Sequence, residues 1–128
     1  MSIRIVRLGS SRARGEGLRI GTVRRPPRGV PKKAYAERNF YDVWLPELAP
    51  SDALVRAALS ASDDRQWTSF VRKYRAEMKR PAASRLLDLL AALSHETSLS
   101  VGCYCEREDR CHRSVLRGLL AEHGALFA

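Results

Sequence analysis

Apolar residues recur along this chain with two periods, and the period separates strands from helices. Ile3-Arg4-Ile5-Val6-Arg7-Leu8 alternates apolar and basic positions and predicts a first strand. Leu18-Arg19-Ile20-Gly21-Thr22-Val23 predicts a second, and Tyr41-Asp42-Val43-Trp44-Leu45 a short third. Leu99 to Cys105 alternates again and predicts a core strand with Leu99, Val101, Cys103 and Cys105 on one face. Elsewhere the spacing is three and four. Ser51 is a good N-cap for a helix from Asp52 to about Leu59. Trp67, Phe70, Val71, Tyr74 and Met78 make one apolar helical face, read as core packing. Residues 82–93, after Pro81, carry five leucines in an amphipathic pattern. Val115, Leu116, Leu119 and Leu120 line one side of a last helix, Ser114 to His123, ended by Gly124.

The connecting segments are distinct. Gly9 to Gly17 is a loop by its glycines and small polar residues. Arg24 to Lys33 holds three prolines and a glycine and is read as a rigid basic loop. Residues 34–40 fit a short helical turn, and Ser60 to Asp64 a connector. The order strand, strand, strand, helices, strand, helix predicts an α/β fold: a small single-domain sandwich over residues 1–128, with a short, mostly parallel sheet flanked by helices. No apolar run is long enough for a membrane span, and Arg4 and Arg7 break the only N-terminal candidate for a signal core. The expectation is a cytoplasmic protein with no membrane partner.

Charge changes this picture in one respect. Residues 1–40 hold eleven Lys or Arg against two Glu, a net of +9, whereas residues 41–128 hold twelve of each sign. All the net charge therefore lies in the first third. Such asymmetry suggests a nucleic acid, a nucleotide or another phosphorylated partner. An Arg-rich solvated surface is the competing explanation.

The candidate chemistry is concentrated elsewhere. All three cysteines fall between Cys103 and Cys111, in a loop that also holds Glu106, His112 and Arg113. It lies where a strand hands over to a helix, the end at which open α/β sheets bind ligands. Three readings stay open. A Cys₃His metal set is disfavoured by spacing, since Cys-x-Cys along a strand separates its thiols and adjacent Cys and His usually diverge, so no metal is assigned. A reactive thiol, Cys111 or Cys105, would use His112 as acid or base and Glu106 as its orienter. An anion site would combine Arg113 and the helix N-terminus with Arg24, Arg25 or Arg28, if the basic loop reaches the same sheet edge. Cofactor and oligomeric state stay unassigned.

Several of these residues together resemble a known group. Arg24 with Pro27-Arg28-Gly29, the run Leu45-Pro46-Glu47-Leu48-Ala49-Pro50-Ser51, the Trp67/Phe70/Tyr74 helix, and Cys105-Glu106 followed by Cys111-His112-Arg113-Ser114 are similar to the YeaO-like proteins of domain of unknown function 488. The resemblance runs from about Leu18 to His123. It implies a compact α/β domain with no established activity, whose recurring Cys, Glu and Cys-His-Arg positions map onto Cys105, Glu106, Cys111, His112 and Arg113. Two positions depart from it. Val23 stands where an acidic residue often precedes the strand-two arginine, and Cys103 lies outside the pattern. The function this supports is binding of a phosphate-bearing ligand at the Cys/His/Arg loop, with a thiol enzyme of unknown reaction as the alternative.

Overall fold

A computed structural model describes residues 1–105 and 111–128. Its elements are β1 (Ile3–Arg7), β2 (Leu18–Gly21), β3 (Val43–Trp44), α1 (Asp52–Ser60), α2 (Asp64–Met78), α3 (Pro81–Leu93), β4 (Leu99–Cys103) and α4 (His112–Glu122), with single 3-10 turns at Lys32–Ala34 and Pro46–Leu48. The four strands form one sheet in the order β1-β4-β2-β3, parallel at every pairing. The expected small α/β domain is therefore what the chain forms. Among the described residues no helix is long and apolar enough to cross a membrane.

α1 starts where the sequence predicts, and α2 and α3 start on residues suited to a helix N-terminus. Ser51 Oγ accepts the Leu54 amide at 3.4 Å, and the Asp63 carboxylate accepts that of Gln66 at 2.8 Å. Pro81 stands in the first turn of α3, where its missing N–H costs nothing. Phe70, Tyr74 and Met78 bury the predicted face of α2 against Leu87, Leu90, Leu116, Leu120 and the strand residues Ile3, Ile20, Leu99 and Val101. β4 is central and wholly buried, so its alternation is read between two interiors rather than between core and water. Leu99 and Val101 enter the helical core. Ser100 and Gly102 face the other way: Ser100 donates to Glu16 at 2.7 Å, and a Cβ on Gly102 would lie 2.5 Å from the Val6 carbonyl oxygen.

That second face is covered by loops. Arg19 is fully buried and its guanidinium donates to both Glu16 carboxylate oxygens, at 2.7 and 3.0 Å, and to the carbonyls of Ser10 and Asn39, at 2.8 and 2.7 Å. One side chain thus ties together the loop after β1, the strand β2 and the chain before β3. Asp42 adds to the same seam by accepting the Arg19 amide at 2.8 Å and the Arg12 guanidinium.

Several predicted boundaries move: β1 ends at Arg7 rather than Leu8 and β2 at Gly21 rather than Val23. β4 ends at Cys103, not Cys105, because its neighbours run out: Arg7 pairs Cys103 on one side and Gly21 pairs Gly102 on the other. Cys105 is therefore not held in strand register with Cys103. α4 begins at His112 rather than Ser114, with Cys111 as its N-cap residue. β3 shrinks to Val43–Trp44, since only Ile20 and Gly21 pair with it and Pro46 follows.

Candidate functional site

A parallel sheet points all its strand ends at one edge, and the chemistry gathers there. β4 ends on Cys103, β2 runs into Thr22, and α4 opens with Cys111 at its N-cap and His112 in its first turn. Cys103 and Cys111 are buried, while Cys105 is exposed, and all three are free thiols. The ligand atoms of Cys103, Cys111 and His112 lie within 4.8 Å of one another.

The imidazole is held by the main chain. His112 Nε2 is 2.7 Å from the Thr22 carbonyl oxygen, and the Tyr74 ring meets it edge-on at 5.6 Å between centroids. A carbonyl only accepts, so Nε2 carries the hydrogen. Burial pushes the pKa of His112 down to about 4, against the raising influence of the Thr22 carbonyl. The ring is therefore neutral at physiological pH and the lone pair sits on Nδ1, which is 3.7 Å from Cys111 Sγ. Cys and His adjacent in sequence here converge, contrary to the sequence-based expectation, because the helix start turns both side chains inward.

The three thiols shift one another's titration. Hydrogen bonds from Cys103 and Cys111, aided by His112 and Arg113, hold the Cys105 thiol well below the usual range despite partial burial. The bond to Cys105, then that to Cys111 and burial, push Cys103 far up. For Cys111, the bond from Cys103 lowers its pKa, but Cys105 and burial outweigh it and the thiol goes up to about 11. The cluster thus favours one thiolate, on the exposed cysteine, with two protonated donors behind it.

A cavity of about 290 Å³ opens onto this corner. Val55, Ala58, Leu59 and Phe70 form an apolar wall, and the three cysteines, Tyr104 and His112 line the other side, with Arg24 and Arg25 beside them. A surface groove of about 590 Å³ past Arg65, Thr68, Ser69 and Arg72 offers neither thiol nor imidazole.

The cysteine and histidine candidates are brought together, and the arginines are placed differently. Arg24 lines the cavity but donates to the Pro50 and Ala49 carbonyls at 3.0 and 3.1 Å, bracing the loop before α1. Arg28 is exposed beside Gly29 and does not line the cavity. Arg113 is buried and donates to the Cys105 carbonyl at 2.7 Å, so it positions the thiol loop from behind; its Nε has no acceptor among the described residues. Glu106 lies outside the described residues.

Residues 3–124 match the family profile described as the active DUF488-N3 subclade. The chain belongs to the DUF488 family. The comparison with curated proteins returned no match, nor did the comparison with solved structures. Within this DUF488 domain the corner also takes in Cys103, which the sequence groups with the other two thiols although it lies outside the resemblance. Two further residues enter that the sequence pattern did not mark. Thr22 enters through its carbonyl, which no residue type announces. Tyr104 donates to the Arg25 carbonyl at 3.0 Å and so ties the thiol loop to the basic loop.

Proposed function

We propose that this DUF488 protein is a thiol enzyme whose exposed Cys105 thiolate forms a bond to an electrophilic carbon of a small ligand and displaces that carbon's leaving group, the ligand being seated by its apolar part in the neighbouring cavity. The observation that carries the reading is the placement of one exposed thiol, with two buried ones, on the wall of an apolar cavity. Cys103 and Cys111 stand behind the thiolate, and the neutral His112 turns Nδ1 toward Cys111 at 3.7 Å. Arg113 fixes the Cys105 backbone. The word "active" in the description of the matched subclade agrees with an enzyme.

A phosphate-bearing ligand fits this arrangement less well as the main determinant. Arg24 and Arg113 already donate to carbonyls, and the wall formed by Val55, Leu59 and Phe70 favours an uncharged group. A phosphate on such a ligand would fall near Arg25, which is 77% exposed and paired with Asp52 at 3.0 Å.

The test joins the thiol to the cavity. Benzyl chloroacetamide and iodoacetamide are reacted separately with the reduced, metal-stripped chain, and each rate is divided by that for glutathione. The expected result is an advantage of about tenfold or more for the benzyl reagent at Cys105, mapped by mass spectrometry. Ala58→Trp, which fills the cavity, should remove that advantage and leave the iodoacetamide rate unchanged. An equal normalised rate for both reagents, or an advantage that survives Ala58→Trp, overturns the reading.

A further inference from the structure

The attack at Cys105 does not explain why Cys103, Cys111 and His112 converge within 4.8 Å of one another. Cys103 and Cys111 are buried, and His112 aims a bare ring nitrogen at a thiol rather than at a donor of its own choosing. Apolar packing accounts for a buried cysteine, but it does not require two of them to meet an imidazole lone pair. A disulfide does not account for them either, since all three cysteines are free.

The distances fit a shared ion. Zinc–sulfur bonds of about 2.3 Å and zinc–nitrogen bonds of about 2.0–2.1 Å, at tetrahedral angles, place sulfur and nitrogen about 3.6 Å apart and two sulfurs about 3.8 Å apart. His112 Nδ1 and Cys111 Sγ stand at 3.7 Å, and the whole triad lies within 4.8 Å. The surroundings fit as well. A metal-binding histidine donates its other ring N–H to a carbonyl or carboxylate, which fixes the tautomer and the ring plane. Here that acceptor is the Thr22 carbonyl, at 2.7 Å. Two thiols and an imidazole are borderline-soft donors, suited to zinc and not to calcium or magnesium.

We propose that Cys103, Cys111 and His112 bind a single zinc ion at the strand ends, with the fourth position on the side of Cys105 and the cavity. Three protein ligands with one exchangeable position is the arrangement of zinc sites that do chemistry rather than only hold a fold. Cys105, which lines the same cavity as the three ligands, stands beside that fourth position. The inference goes beyond the thiol reading and does not require any reaction at Cys105.

The experiment uses the full chain, stripped of metal and reduced, titrated with Co²⁺ alone and then displaced with Zn²⁺. The expected result is one ion per chain, thiolate-to-cobalt charge transfer in the near ultraviolet, and intense visible bands of tetrahedral cobalt, all lost when Zn²⁺ is added. Cys103→Ser and His112→Ala should each weaken binding at least tenfold, and Cys105→Ser should keep the one-to-one stoichiometry. Far-ultraviolet circular dichroism confirms that each variant is folded. Absence of charge transfer in the wild-type chain overturns the proposal whatever the variants do, as does wild-type affinity in folded Cys103→Ser and His112→Ala. Cobalt binding with no benzyl-reagent advantage at Cys105 would remove the thiol-enzyme reading and leave the metal site standing.

Discussion

The Glu16–Arg19 pair and the Cys103–Cys111–His112 corner both withdraw polar groups from water, and they differ in what is left over. Around Arg19 the donors and acceptors match: two carboxylate oxygens and two carbonyls take the guanidinium, and Ser100 takes the remaining capacity of Glu16. Nothing there is free to meet a ligand. At the other corner the backbone takes one nitrogen of His112 and leaves the second bare beside two buried thiols and an exposed one. A closed polar cluster holds loops in place; an open one can bind or react. Charge density alone points elsewhere, because the basic first third ends mostly in exposed side chains such as Arg25 and Arg28.

Breaking the closed cluster should give the largest effect. Arg19→Ala strands the Glu16 carboxylate at 3% exposure and unties two loop segments from β2, and loss of one partner from a buried pair costs about 3–5 kcal/mol. Urea unfolding should show this as a lower midpoint. A loss below about 1 kcal/mol would mean that the pair is not buried as described. The cavity wall belongs to a different part of the core, so a folded Arg19→Ala chain should keep the benzyl-reagent selectivity at Cys105.

A smaller effect follows from pH. Burial pushes the Glu16 carboxyl up, but hydrogen bonds from Arg19, Ser100 and the Ala13 amide overcome it and hold it down at about 2, from an ordinary value of 4.5. A depressed carboxylate contributes stability that is fully present above about pH 4.5 and is lost as pH falls toward about 2. Asp42 acts in the same direction, its burial being outweighed by Arg12 and the Arg19 amide. Thermal midpoints measured across this window should fall with acid. Glu16→Gln should flatten the fall, and an unchanged slope in that variant would contradict the assignment.

The smallest effect belongs to the exposed charge. Arg25→Ala removes a surface pair with Asp52 and should change stability by no more than about 0.5 kcal/mol in a urea titration. A loss several times larger would show that the basic loop is part of the closed structure rather than its solvated rim.

Much of the fold was legible in the sequence because strands and helices are written in local period. The alternation of residues 3–8 and 99–103, the Trp67-to-Met78 face, the Ser51 cap and Gly124 each act within a few residues of themselves. Cys111 and His112 were legible as candidates for the same reason: unusual residue types crowd one short loop. The arginines were harder to read. Arg24, Arg28 and Arg113 looked alike as cations, and only burial and the carbonyls at Ala49, Pro50 and Cys105 separated them. Cys103 was set aside because a strand was expected to carry it and Cys105 in one register; the strand stops first, since neither neighbour extends beyond it.

By itself the sequence determined a small α/β domain and a thiol-rich handover from strand to helix, since both depend on residue type and near spacing. The convergence was decided by tertiary structure alone. The Thr22 carbonyl that orients His112 lies ninety positions away and is chemically identical to every other carbonyl in the chain. Its role exists only because parallel pairing of β2 with β4 brings that strand end beside the first turn of α4.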